Sequence, residues 1–400
     1  MRRAADSVPE LRGREVEVRD RSLPGRSRGR EAWRRAWGVV AKARPTHLLL
    51  VPRLGPGGGE LAARLAAEAI LSRKENRVLL VTTDTERDGG AERLGERAAV
   101  LPFGALAAEL TPEEQVGLLA RLVVNAPSRT LHVFYSHVGW EALRRHAAPI
   151  ASGRRLFVSI FSVPPPETGL DAGYARLLAP IRRHVASVFT DNALAAAALE
   201  SACGLEPGQA VALRHPVSPR PAFRRARNGD ERILWAGRLD ADKRPDLLRR
   251  IAELLPHRTF DVWGTPVLDD GRLFAPLRAL PNVRLRGRFA GFGAIPDAPY
   301  GCFLYTSLWD GLPNVLLEAV ASGLLAVASD VGAVHEVLGE GRGLLVRPPD
   351  DAEAYVAALE GSRADAAAAR EVAERGRRHV LSVHTREAFL ATLASAPGYL

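Results

Sequence analysis

The chain has 400 residues, enough for two or three domains. Its 46% hydrophobic and 25% charged residues exclude wholesale disorder, and no apolar run approaches the ~20 residues that span a bilayer. Two cysteines, Cys203 and Cys302, exclude a disulfide framework and a cysteine-rich zinc site, so a reducing, cytoplasmic setting is expected.

The N-terminus lacks the apolar core of a secretory signal. The formal net charge of +9 is concentrated in residues 1–44, which hold 13 Lys+Arg against 6 Asp+Glu. The other 356 residues carry only +2. No nucleic-acid recognition motif accompanies the arginines, so nucleic acid is not an expected partner. Residues 1–44 read as a solvated, poorly ordered leader. The alternative use is peripheral contact with anionic lipid at the inner face of a membrane.

No period of 20–50 residues repeats, which argues against a solenoid. Short apolar strands alternate instead with helical stretches. His47–Val51 reads as a strand, Gly55-Pro56-Gly57-Gly58-Gly59 as a turn and Glu60–Leu71 as a helix. Val78–Thr82, Leu131–Phe134 and Leu156–Phe161 read as further strands. Continuous apolar runs joined through helices predict a parallel sheet buried on both faces. The prolines of His215–Pro221 interrupt the pattern, and 218–230 reads as a polar linker. The alternation then restarts with a strand at Ile233–Ala236 and a helix at Pro245–Leu255. Strands follow at Phe260–Trp263, Val283–Leu285, Cys302–Thr306, Leu325–Ala328 and Leu344–Val346. The expected fold class is α/β: two doubly wound, Rossmann-like domains facing a cleft, at 45–217 and 231–380. Residues 381–400 read as a C-terminal helix that packs back on the first domain. Ligands of such sheets bind beyond the carboxyl ends of the strands.

The richest segment runs from Leu304 to Ala319 and reads strand, tight turn, helix. Gly311 permits the turn, and Pro313 suits the first helical turn. The N–H groups of Leu312, Asn314 and Val315 are then free to bind an anion. Asp310 and Glu318, eight positions apart, offer carboxylates for two polyols. The alternative is a helix cap and a surface glutamate, but Glu318 lies inside an apolar run and needs a partner there. Gly237-Arg238-Leu239-Asp240-Ala241-Asp242-Lys243 also follows a strand. Its Arg238 and Lys243 can converge on one diphosphate. Asp240 and Asp242 spell D-x-D, yet the adjacent cations favour loop polar residues over a metal site. Gly55 and Gly57 begin a G-x-G-x-x-G in which Glu60 replaces the last glycine. With Asp84 as ribose ligand this is a minority dinucleotide reading. The glycines still allow close approach of a phosphate or sugar. His132, His137 and His215 read as structural, and no Ser-His-Asp order, H-E-x-x-H or P-loop is present.

GRLDADKRPDLL, LYTSLWDGLPNVLLEAVASGLLAVASDVGAVHEVL and GRGLLVRPPDD closely resemble the family 4 retaining glycosyltransferases of GT-B fold, over roughly Ile233 to Asp351. The first half resembles the family loosely, through HLLLVPRLGPGGGE and LHVFYSHVGWEAL. The resemblance implies transfer of a sugar from a nucleoside diphosphate to an acceptor, with retention and without a protein nucleophile; a glycan or lipid-linked acceptor is expected. No cofactor and no essential metal are expected, because Arg238, Lys243 and the helix start at Pro313 supply the positive field. Arg238 and Lys243 resemble the pair that holds the donor diphosphate. Glu318 resembles the second acid of the E-x7-E signature, on the ribose, and Asp310 stands where the first glutamate contacts the donor sugar. Gly237, Gly311, Leu312, Pro313, Asn314 and Val315 correspond to donor-binding turns. Glu336 matches an acidic position with no assigned role. Gly57, Gly58, Gly59 and His137 are the acceptor-side candidates. Asp310 is one methylene shorter than the family's glutamate, and Phe161 stands where many members carry histidine. A GT-B sugar-nucleotide epimerase and a non-catalytic nucleotide-sugar binder are the alternatives.

Overall fold

The apolar runs form parallel strands, as their lack of alternation requires. A computed structural model describes residues 28–55, 58–84, 95–161, 163, 174–223, 231–267, 272–289 and 291–400. The chain divides into two units. One holds the residues described up to Thr190 together with Ala196–Leu213 and Leu390–Leu400; the other holds Asp191–Ala195 and Arg214–Phe389.

The first unit contains β1 (His47–Val51), β2 (Val78–Thr82), β3 (Ala98–Pro102), β4 (Thr130–Val133), β5 (Arg155–Ser159), β6 (Val185–Thr190) and β7 (Ala210–Ala212), in the order β3-β2-β1-β4-β5-β6-β7. The chain runs outward from β1 to β3, then returns to β4 beside β1. Loops after β1 and β4 therefore flank the switch point where such sheets bind ligands. Helix α1 (Arg28–Ala43) precedes β1, and α2 (Gly58–Leu71) follows it. Ala62, Ala63, Ala66, Ala67 and Ile70 form the buried face of α2, and their small side chains let it lie close to the sheet. Helix α3 (Pro112–Asn125) opens on a capping box between Thr111 and Glu114, and α4 (His137–Ala151) follows β4.

The leader reading needs correction. Residues 1–27 lie outside the described residues, but 28–43 form α1 rather than a poorly ordered segment. Ala32, Ala36 and Val40 recur every fourth residue and bury one face, leaving the arginines on the other.

A buried core segment comes from far along the chain. Tyr399 is fully buried in the first unit. His132 Nδ1 lies 2.7 Å from its hydroxyl, and His132 Nε2 lies 2.9 Å from Ser159 Oγ. His47 Nε2 lies 2.8 Å from the Tyr399 carbonyl. Phe157 and Phe189 meet the Tyr399 ring edge-on at 4.8 and 5.4 Å. Burial holds His132 well below the usual imidazole range and His47 at about 4, so both are neutral parts of the core.

The second unit contains β8 (Arg232–Ala236), β9 (Phe260–Trp263), β10 (Val283–Gly287), β11 (Tyr300–Tyr305), β12 (Leu325–Ser329) and β13 (Leu344–Val346), in the order β10-β9-β8-β11-β12-β13. Here the switch point falls between β8 and β11. Leu247, Leu248, Ile251 and Ala252 of the helix Pro245–Leu254 bury one face against Ile233, Val262 and Leu304. The helix Asn314–Ala321 buries Leu316, Leu317, Ala319 and Val320 on the opposite layer. The expected two-sheet α/β class is thus the observed one. Among the described residues no helix is long and apolar enough to cross a membrane.

Candidate active site

The β8 strand ends at Ala236, and the chain turns sharply through Gly237. Gly237 N donates to the Trp263 carbonyl at 3.0 Å. Gly264, at φ 146°, passes so close that a Cβ there would collide with the Gly237 carbonyl. Arg238 then spans two carboxylates, donating to Asp240 Oδ2 and Asp242 Oδ2 at 2.8 Å each. Asp240 is buried and its Oδ1 accepts from Val267 N at 2.8 Å. The D-x-D pair is thereby engaged with the loop's own donors. Arg244, in the left-handed region at φ 55°, turns the chain into the helix opening at Pro245.

The β11 strand delivers the second loop to the same place. Thr306 Oγ1 donates to the Lys243 carbonyl at 2.8 Å and accepts from Trp235 Nε1 at 3.0 Å. Leu308 N donates to the Asp242 carbonyl at 2.9 Å. These bonds stitch the two loops together and bring Lys243 onto Asp310, where they form an ion pair, with Asp242 Oδ2 3.4 Å from the same ammonium. Tyr305 donates its hydroxyl to Asp310 Oδ2 at 2.5 Å, and Gly311 N donates to Asp310 Oδ1 at 3.0 Å. A third loop closes in at Gly332, φ 52°, where a Cβ would collide with the Asp310 carbonyl. Arg238, Lys243 and Asp310 therefore converge in one charged cluster.

The helix start at Pro313 differs from expectation. Leu312 N, expected open for an anion, already donates to Asp191 Oδ2 at 2.9 Å. Asp191 is buried, and burial pushes its carboxyl up to about 6. Asn314, at the helix start, lies with its Oδ1 3.2 Å from His215 Nδ1. His215 is buried, and its carbonyl lies 3.0 Å from His384 Nδ1. Val315 is half-buried in the next position. Glu318 is half-buried two helical turns from Asp310; burial raises its carboxyl, opposed by the charge of Arg220 and by the Phe292 N–H. Glu336 accepts from Leu194 N at 2.9 Å and Ala193 N at 3.3 Å, capping the helix Ala193–Cys203.

In the first unit, the loops after β1 and β4 carry the acceptor-side candidates. Gly57 lies outside the described residues; Gly58 and Gly59 open α2. A Cβ on Gly59 would sit 2.6 Å from the Tyr135 ring, so the glycine is what lets α2 start against that ring. Ser136 caps α4 by accepting from Gly139 N at 2.9 Å, which leaves His137 exposed on its first turn. Phe161 is buried with its ring 5.6 Å from Tyr135. Tyr174 donates to the Tyr135 carbonyl at 2.8 Å and stacks on Trp140 at 5.4 Å.

Residues 230–365 match the family model described as Glycosyl transferases group 1. Most of the second unit is thus similar to glycosyltransferase group 1 domains. No curated protein sequence matches the chain. Among solved structures, HepE from Anabaena in complex with UDP and glucose is similar at TM-score 0.68 and 17% identity, over 89% of this chain and 100% of that one. Sucrose-phosphate synthase from Thermosynechococcus elongatus is similar at TM-score 0.69 and 19% identity, over 87% of this chain and 97% of that one. The lipopolysaccharide outer core galactosyltransferase WaaB in its apo form is similar at TM-score 0.65 and 14% identity, over 88% and 98%. The shared architecture is that of GT-B glycosyltransferases, with two parallel-sheet α/β domains. Two residues of the candidate site carry no sequence motif. Asp191 follows β6, a strand too interrupted by Ala186 and Ser187 to stand out. Tyr305 reads as one more apolar strand residue, and only its hydroxyl distinguishes it.

Proposed function

We propose that the chain is a family 4 retaining glycosyltransferase that moves a sugar from a nucleoside-diphosphate donor to a glycan or lipid-linked acceptor, in polysaccharide biosynthesis, without an essential metal. The observation that carries this reading is the convergence of Arg238, Lys243 and Asp310 at the switch point of the second unit. A diphosphate arriving there displaces Asp240 and Asp242 from Arg238 and takes a further N–H of the Lys243 ammonium, which keeps its contact with Asp310. Arg238 and Lys243 then stabilise the charge that builds on the leaving diphosphate, which is where preorganised charge acts most strongly. Asp310 accepts from a hydroxyl of the donor sugar, and Glu318 accepts from the ribose. The remaining work is positioning: the acceptor hydroxyl attacks from the face that the leaving group departs and gives its proton to the departing diphosphate oxygen, with no protein nucleophile. Acceptor binding is assigned to Gly57, Gly58, Gly59 and His137 in the first unit.

The location proposed is cytoplasmic, with peripheral membrane contact through α1. That helix exposes Arg28, Arg30, Arg34, Arg35 and Lys42, and Trp33 stacks on Trp37 at 5.6 Å. Basic residues beside tryptophans suit an anionic headgroup layer.

The deciding experiment is a thermal-shift screen against UDP, GDP, ADP, CDP and TDP and their sugars. A ligand at 100-fold its dissociation constant adds about 2.7 kcal/mol of stability. Donor turnover should follow for the sugar nucleotide that binds, and EDTA should leave it unchanged. Turnover to an isomerised donor without acceptor would replace this reading by an epimerase, and binding without turnover by a non-catalytic binder.

A further inference from the structure

Tyr305 ends β11 with its ring in the core, grouped with Phe303, Leu312 and Leu316 and 4% exposed. Phe303 stacks on it at 6.5 Å with 26° between the planes. The ring is therefore a rigid arm, and only its hydroxyl reaches the charged loops. That hydroxyl donates to Asp310 Oδ2 at 2.5 Å, the same oxygen that pairs with Lys243 Nζ. Gly311 N donates to Oδ1 at 3.0 Å. A carboxylate has about four acceptor positions. Tyr305 and Lys243 take both on Oδ2, Gly311 takes one on Oδ1, and one position remains.

We infer that Tyr305 is a positioning residue for the glycosyl transfer: by pinning Oδ2 of Asp310 it holds Lys243 in place and leaves a single acceptor position on Oδ1 for one hydroxyl of the donor sugar. The inference rests on the function proposed above. Burial, and next the charge of Asp310, push the Tyr305 phenol well above its ordinary range, so it stays a donor at any physiological pH. The geometry also fixes what length of side chain fits at 310. With the hydroxyl 2.5 Å from Oδ2, there is no room for another methylene; with the hydroxyl gone, a longer acid has room and regains reach to Lys243.

The test is a cycle of Tyr305→Phe, Asp310→Glu and the double variant. Its readout is release of free nucleoside diphosphate from UDP-glucose, GDP-mannose and ADP-glucose, with water as acceptor, beside the affinity for each free diphosphate. Tyr305→Phe deletes one oxygen and orphans no donor, because Asp310 keeps Lys243. It should lower turnover about tenfold, the loss of one charge-assisted hydrogen bond, with diphosphate affinity within about twofold of wild type. Asp310→Glu should lower turnover in wild type but raise it in the Tyr305→Phe background. Tyr305→Leu with Asp310→Glu is a second pair expected to show the same reversal. Independent, multiplicative losses would overturn the inference, as would an equal loss of turnover and diphosphate affinity in Tyr305→Phe. Wild type that binds none of the five nucleoside diphosphates or their sugars in the thermal-shift screen would overturn the glycosyltransferase reading, and the inference with it.

Discussion

At the switch point of the second unit the converging side chains are charged. Arg238 bridges Asp240 and Asp242, and Lys243 is shared by Asp242 and Asp310. At the switch point of the first unit the groups are a glycine turn, a hydroxyl cap and aromatic rings: Gly59, Ser136, Tyr135, Phe161 and Tyr174. Charges at half-buried positions must be paired to be tolerated, and pairing demands that several loops be placed accurately at once. Rings need only shape. The second unit has accordingly built its loops around fixed partners, with Gly264 and Gly332 admitting the backbone contacts that hold them. On the proposed function, the contrast puts the diphosphate donor at the second unit and the acceptor at the first.

Four experiments can break or sharpen that contrast. The largest effect is expected at the cation pair. Arg238→Ala and Lys243→Ala should each cut turnover by roughly 10²–10³-fold, the usual cost of removing a preorganised charge stabiliser. Steady-state kinetics measure this; activity abolished by EDTA and restored by magnesium would hand the Asp240–Asp242 pair to a metal instead.

Asp191 comes next. Its carboxyl titrates at about 6, above the ordinary 3.8, so the folded state favours the protonated form. That stabilisation is complete below about pH 3.8 and lost as the pH rises through about 6. At 1.36 kcal/mol per pH unit the swing is about 3 kcal/mol. Asp191→Asn has no such titration, so its stability relative to wild type should improve by up to that amount between pH 4 and pH 8. Urea unfolding at the two pH values checks it, and a pH-independent difference would remove Asp191 from the buried, titrating position.

Glu318→Gln keeps the shape and removes the charge. Donor affinity should fall roughly tenfold, for a loss of about 1.5–3 kcal/mol. A donor analogue without ribose hydroxyls should bind wild type and variant alike; an equal penalty for both would make Glu318 structural.

The smallest effect is expected in the first unit. Gly59→Ala places a methyl against Tyr135 and should displace the ring rather than any charge. Acceptor KM should rise about fivefold, a cost near 1 kcal/mol, with donor affinity unchanged. A matching loss of donor affinity would dissolve the division of labour between the units.

The charged site was the part that sequence could show. Arg238, Lys243 and Asp310 sit in loops after strands, and the structure brings the three together; Glu318 stands apart, half-buried two helical turns on. The two βα arrays were legible because β1, β2, β8, β11 and β12 carry apolar runs. What escaped had ordinary surroundings in sequence. Ala98–Pro102 and Ala210–Ala212 are short edge strands with small residues, and α1 hides Ala32, Ala36 and Val40 among arginines. Asp191 meets Leu312 across 121 positions, and no local pattern announces a contact of that span.

Synthesis order gives Tyr399 a further significance. His132 and Tyr399 are 267 positions apart, yet each completes the other's hydrogen bonding inside the first unit. A ribosome adding about 5–20 residues per second needs roughly 13–50 s to make that intervening chain. Once Phe189 is made, His47, His132 and the edges of Phe157 and Phe189 stay uncovered until Tyr399 arrives. The second unit, complete in sequence by Phe389, is made entirely within the same interval. The first unit to begin is thus the last to finish, and its open aromatic face is where a chaperone, or a neighbouring nascent chain, finds purchase.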